Sequence, residues 1–118
     1  MIADDDEINQ EFGLLLMKAL GYNADIANNG LEVLELLKKQ SYNIILMDMQ
    51  MPEMDGLTTT KMIRESSQTQ PWIIAVTANV LERDHQRCLE VGMNDYLSKP
   101  IMIEDFNHAI SKYLGSLI

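Results

Sequence analysis

Two kinds of hydrophobic run alternate along this chain. Ile44-Ile45-Leu46-Met47 and Trp72-Ile73-Ile74-Ala75-Val76 are continuous apolar stretches, each closed by a polar residue, Asp48 and Thr77. Short unbroken runs of this kind predict strands buried on both faces. Weaker stretches at Met1–Ala3, Asn23–Ala27 and Asp95–Ser98 predict three more short strands. Between them the apolar positions recur at helical spacing. Ile8, Phe12, Leu15, Leu16, Ala19 and Leu20 mark a first helix that Gly21 stops. Leu31 to Lys39 is a second, with Leu31, Val33, Leu34 and Leu37 facing in, and Asn28-Asn29-Gly30 is the turn before it. Thr58 to Arg64 is a third, opened near Asp55-Gly56, fading in the polar stretch 65–70 and ended by Pro71. Val80 to Val91 is a fourth, capped by Gly92. Ile103, Phe106, Ile110 and Tyr113 mark the last, with Gly115 beyond it.

Strand and helix thus alternate five times, which implies one α/β domain over residues 1–118 with a parallel sheet covered on both faces. Met1-Ile2-Ala3 is short for a strand, whose usual length is about 5 to 6 residues. We therefore expect a first strand clipped at its N-terminal end, and a chain excised from a longer protein.

Charge and composition narrow the partners. The chain has 118 residues and a formal net charge of −9, which argues against direct contact with nucleic acid or an anionic membrane. No stretch approaches the roughly 18 to 20 apolar residues of a membrane span, and the acidic start Asp4-Asp5-Asp6-Glu7 is unlike a signal peptide. A single cysteine, Cys88, excludes an internal disulfide and fits a reducing compartment such as the cytoplasm.

The strand ends carry the candidate chemistry. In an open parallel sheet, ligands bind beyond the C-terminal ends of the strands, where the topology reverses. The first strand ends at Asp4 and Asp5, the third at Asp48, the fourth at Thr77 and the fifth at Lys99. Folding would gather carboxylates, a hydroxyl and an ammonium at one rim. Close carboxylates repel unless a cation is present, and an all-oxygen donor set suits Mg²⁺, or Mn²⁺, better than a softer metal. Such a site suits phosphoryl transfer: Asp48 as nucleophile, Lys99 neutralising phosphoryl charge, Thr77 donating a hydrogen bond to a phosphoryl oxygen.

These residues, with Met-Pro-x-Met-Asp-Gly at 51–56, make the chain resemble the receiver domains of two-component response regulators over essentially its whole length. The resemblance implies a flavodoxin-like doubly wound fold with strand order 2-1-3-4-5. It makes Asp4 and Asp5 the Mg²⁺-holding pair, Asp48 the phospho-acceptor and Gln50 the source of a metal-binding backbone carbonyl. Thr77 becomes the switch hydroxyl, Tyr96 an aromatic that changes rotamer, and Lys99 precedes a cis Pro100. The phosphoryl group would come from a phosphohistidine on a histidine kinase or histidine phosphotransfer domain, and the face of helix four, strand five and helix five would respond. The domain would catalyse only its own phosphorylation and slow dephosphorylation. The wording Asp-Glu-Ile-Asn-Gln, Val-Thr-Ala-Asn and Gly-Met-Asn-Asp-Tyr-Leu-Ser-Lys-Pro is similar to receivers of hybrid sensor histidine kinases, whose parent can be anchored in the inner membrane. Asp6 departs from the family's pattern, and its charge is expected to perturb metal affinity.

Other readings stay open at this level. An aspartyl-nucleophile phosphohydrolase would use the same sheet, although Gln50 stands where such enzymes usually place a second Asp. A flavin or nucleotide module lacks its glycine-rich loop. A receiver that no longer accepts phosphate would serve as an interaction module. Asp4 to Asp6 alone can be read as a solvated acidic run, Thr77 alone as a β-former, Tyr96 alone as core, and Lys99-Pro100 as a strand stop. Met47 reads as core, whereas Met49, Met51 and Met54 read as loop packing or as a partner-contact surface. His85 and His108 read as solvent-facing helix residues and Cys88 as a small buried one.

Overall fold

A computed structural model describes residues 1–66, 70–78 and 82–117, side chains of 82–84 excepted. The elements run β1 (Ile2–Ala3), α1 (Glu7–Ala19), β2 (Ile26–Ala27), α2 (Gly30–Lys39), β3 (Ile44–Asp48), α3 (Gly56–Glu65), β4 (Trp72–Thr77), α4 (Glu82–Glu90), β5 (Asp95–Ser98) and α5 (Ile103–Ser116). All five strands are parallel and lie in the order β2-β1-β3-β4-β5, as the resemblance implied. The chain reverses its direction of winding between β1 and β3, so the crevice of a doubly wound sheet opens at their C-terminal ends.

The pleat divides the core. Ile2, Leu46, Ile74, Val76 and Leu97 project toward α1 and α5 and pack with Leu16, Phe106 and Ile110. Ala3, Met47, Ile73 and Ala75 project the other way and pack with Val33, Ile63 and Cys88 of α2, α3 and α4. Both faces of β3 and β4 are therefore apolar, which is why those strands read as unbroken runs. Arg64 closes the corner below α4: its Nε donates to the Gly92 carbonyl (2.8 Å) and its Nη2 to Asn94 Oδ1 (2.9 Å).

Several helix details differ from the sequence reading. In α1 the buried positions are Gly13, Leu16 and Met17, while Ile8 and Leu15 are 76% and 65% exposed. The helix docks through Gly13, where a Cβ would meet Ile2 Cδ1 at 2.8 Å, and this close approach turns the Ile8–Leu15 stripe outward. Leu31 is likewise exposed, with Val33 and Leu37 taking the inner face of α2. β2 is only two residues long, and α5 runs through Gly115 to Ser116. The start of the fourth helix expected at Val80, and residues 67–69 of the expected polar stretch, lie outside the described residues. We expect Ile74→Ala, at a fully buried site in β4, to cost about 2–5 kcal/mol, read as a lowered urea midpoint with unchanged slope.

Candidate functional site at the carboxyl ends of the strands

Strand parity aims the site. Asp4 follows Ile2, Asp48 follows Leu46 and Lys99 follows Leu97 at even spacing, so all three point to the α1 and α5 side of the sheet. There Lys99 Nζ lies 3.0 Å from Asp48 Oδ1 and 3.9 Å from Asp4 Oδ2. Asp48 and Asp4 are buried, and Lys99 is about a quarter exposed. Asp5, exposed, completes a group of three carboxylates whose oxygens lie within 4.8 Å of one another. A cleft of about 80 Å³ reaches this rim, lined in part by Gly13, Phe12 and Ile101.

Each carboxylate is fixed by local backbone. Asp4 Oδ1 accepts from the Asp6 amide (2.9 Å), and Asp48 Oδ1 accepts from the Gln50 amide (3.2 Å). The loop after β3 then doubles back so tightly that a Cβ on Gly56 would sit 2.5 Å from the Asp48 carbonyl oxygen. Glycine is required there by close approach. Asp55 caps α3 by accepting from the Thr58 amide (2.8 Å), and Glu53 takes a left-handed φ of 67°. Met51 is buried and Met49 and Met54 are half-buried. Met51 and Met49 pack against the core and so fill the loop's interior, while Met54 stays half-buried.

Thr77, at the end of β4, is buried and points to the opposite side of the sheet. Its carbonyl accepts from the Lys99 amide (2.8 Å), joining the ends of β4 and β5. The Lys99–Pro100 peptide is cis. Asp6 stands apart from the acidic group: its Oδ1 caps α1, accepting from the Ile8 (2.8 Å) and Asn9 (3.2 Å) amides. It serves the helix, which lessens its expected bearing on metal affinity. Two features escaped the sequence reading. Gln10 Nε2 ties the Asp4 carbonyl (2.6 Å) to Asn28 Oδ1 (2.8 Å), and a polar residue in the first turn after the acidic run was the available signal. His85, expected in solvent, is half-buried and stacks on Tyr96, with ring centroids 3.7 Å apart and planes 20° apart. No sequence signal pairs those positions. His108 is exposed as expected.

The electrostatics favour a cation. Burial raises the Asp4 carboxyl above its ordinary value of 3.8, and the Asp48 charge raises it further, while the Asp6 amide and Lys99 oppose this. Lys99 contacts two of the three grouped carboxylates, all hard oxygen donors, and such a set fits a magnesium-type ion.

A doubly wound sheet bearing acids and a lysine at its switch point defines the receiver class. The chain belongs to the response regulator receiver domain family, whose model matches residues 1–111. Hybrid signal transduction histidine kinase K of Dictyostelium discoideum is 42% identical over 118 residues, covering 93% of this chain and 10% of that protein. The chain thus spans a small part of the curated relatives it matches. The receiver domain of a sensor histidine kinase from Pseudomonas aeruginosa PAO1, with a magnesium ion coordinated in its active-site cleft, superposes with TM-score 0.86 at 33% identity, covering 97% and 94% of the two chains. The receiver domain of a Saccharomyces cerevisiae response regulator, co-crystallised with a histidine phosphotransfer protein, gives TM-score 0.86 at 28% identity over 95% and 85%. Among the described residues no helix is long and apolar enough to cross a membrane.

A raised Asp4 value means that the folded state holds this proton more tightly than the unfolded chain. Its contribution is present below 3.8 and lost as pH rises through the raised value. Without metal, Asp4→Asn should therefore melt higher than the parent at pH 7, and the gap should close below pH 3.8, as thermal scans across that range will read. Asp6→Ala should cost about 1 kcal/mol through the lost cap and leave Mg²⁺ affinity within twofold by calorimetry.

Proposed function

We propose that this domain is the phospho-accepting receiver of a phosphorelay, with Asp48 as the acceptor. The observation that carries it is the Asp48 carboxylate: buried at a strand tip, 3.0 Å from Lys99 and grouped with Asp4 and Asp5. An Asp48 oxygen attacks the phosphorus of a phosphohistidine. The P–N bond breaks, the imidazole leaves with a proton from solvent, and an aspartyl phosphate forms. Lys99 neutralises charge on the phosphoryl oxygens, and the Thr77 hydroxyl turns to bond one of them. Asp4, Asp5, Asp48 and the Gln50 carbonyl would hold the cation. When bound, Mg²⁺ would neutralise the negative charge that gathers at this rim during transfer.

The donor is a histidine kinase or a histidine phosphotransfer domain, a reading supported by the yeast co-crystal relative. The exposed Ile8 and Leu15 stripe of α1 suits such a partner, because α1 begins two residues after Asp5 and keeps apolar surface beside the carboxylates. The kinase-type relatives support an origin in a hybrid histidine kinase. The domain turns over no free substrate: Gln50 lacks the acid-base group that a phosphohydrolase of this kind needs. Phosphorylation of Asp48 draws Thr77 toward the site and lets Tyr96 turn inward, and the face formed by α4, β5 and α5 changes its partners.

Incubation with acetyl phosphate and Mg²⁺ should add the mass of one phosphoryl group to the parent and none to Asp48→Asn. Chelation by EDTA should abolish the labelling. Equal labelling of Asp48→Asn would sink the assignment.

A further inference from the structure

Residues 85 and 96 meet because of how the strand ends are built. Tyr96 lies between the buried Asp95 and Leu97, so its side chain leaves the α5 side of the sheet and projects toward α4. On that face its register neighbour in β4 is Ala75, and two residues beyond Ala75 stands Thr77. Tyr96, Ala75 and Thr77 thus form one row on the sheet surface. In the switch proposed above the ring would move along this row, from its outward place on α4 to one over the small Ala75 side chain toward Thr77. In this structure it lies outward, 37% exposed, with the His85 imidazole stacked on it.

The contact is unusually full. A centroid separation of 3.7 Å at 20° leaves the rings in nearly complete overlap, closer than the 4.5–7 Å of most aromatic pairs. His85 gains little else from its position. Its Nε2 is shielded from solvent and has no hydrogen-bond partner among the described residues. An unbonded, dehydrated nitrogen disfavours the pose, so ring overlap is what holds the imidazole there. The stack must outweigh that cost, since it is the arrangement adopted.

We propose that His85 is a positioning residue that latches Tyr96 in the outward position and so sets the threshold for switching. This rests on the phospho-acceptor reading above. A contact made in only one of two states biases the equilibrium toward that state by the free energy of the contact. The stack exists only while Tyr96 points outward. When Tyr96 turns toward Thr77 the overlap is lost, and any ligand that selects the inward state binds more weakly by the same factor. The buried nitrogen keeps the latch weak, because releasing His85 returns Nε2 to water. A weak latch lets an acyl phosphate at Asp48 reverse it.

The test uses beryllofluoride, a phosphoryl mimic, with saturating Mg²⁺ and calorimetric detection. His85→Ala should bind it about two- to tenfold more tightly than the parent, the factor that losing one aromatic pair allows. Alanine is the best helix former, so α4 persists in this variant, and its circular dichroism should match the parent's. His85→Phe, which retains a stacking ring and buries no unbonded nitrogen, should bring the affinity back to the parent's value or below it. In a Tyr96→Ala background, adding His85→Ala should change nothing. In the parent, the His85 ring-proton resonances should move downfield on beryllofluoride binding, as the Tyr96 ring leaves. A parent that binds no beryllofluoride overturns the phospho-acceptor reading and the latch with it. A parent that binds while His85→Ala binds no tighter overturns the latch alone, as does an equal gain in the Tyr96→Ala background.

Discussion

The ion pair between Asp48 and Lys99 is the contact on which the strand-end site depends. Asp48 is buried, and a carboxylate taken from water needs a compensating charge or donors. Lys99 Nζ at 3.0 Å and the Gln50 amide at 3.2 Å provide them. The compensation is incomplete, because Asp4 shares the Lys99 ammonium at 3.9 Å and Asp5 adds a third carboxylate to the group. Removing Lys99 would take away the ammonium that contacts Asp48 and Asp4, and a divalent cation would offset all three carboxylates at once. The site thus keeps acidic charge that a bound cation would offset.

Much of the surrounding structure follows from holding that pair in place. The winding reversal puts the ends of β1 and β3 side by side, which brings Asp4 to Asp48. The loop after Asp48 folds back over β3, requires glycine at 56, and buries Met51 beneath it. The Lys99 amide bonded to the Thr77 carbonyl fixes the height of β5 against β4, and hence the reach of the Lys99 side chain. Asp6 and Asp55 each cap the helix that follows a site loop, so acids beside the site divide between chemistry and helix starts.

The sheet was legible in the sequence because β3 and β4, buried on both faces, are written as unbroken apolar runs that fix both the strands and their parallel packing. The rim was legible because Asp48, Thr77 and Lys99 each terminate such a run or a strand. What could not be read was the rotation of a helix about its axis. In α1, two apolar stripes compete, and the choice falls to Gly13, whose missing side chain lets the helix meet Ile2. Nothing in the spacing of Ile8, Phe12 and Leu15 reveals that they are the stripe left outside. The Met49, Met51 and Met54 positions were ambiguous for a related reason: a flexible thioether packs inward or lies on the surface with equal ease. The His85–Tyr96 stack joins a helix to a strand across eleven residues, a tertiary contact with no periodic signature.

Pleat parity also sets what the proposed switch would have to cross. Asp4, Asp48 and Lys99 face α1 and α5, whereas Thr77, Ala75 and Tyr96 face α4. A phosphoryl group on Asp48 would sit beyond the strand tips, where parity no longer separates the two faces, and the Thr77 hydroxyl is the polar group of the α4-side row nearest that end. In the proposed switch Thr77 therefore acts as the hinge between chemistry on one face and aromatic packing on the other. Its displacement changes what lies behind it along the row over Ala75, and the row ends at Tyr96 and His85. The signal needs no movement of the sheet. It requires one hydroxyl to change partners and one ring to change sides, and the free-energy difference between those two arrangements is set by side chains that never touch the phosphoryl group.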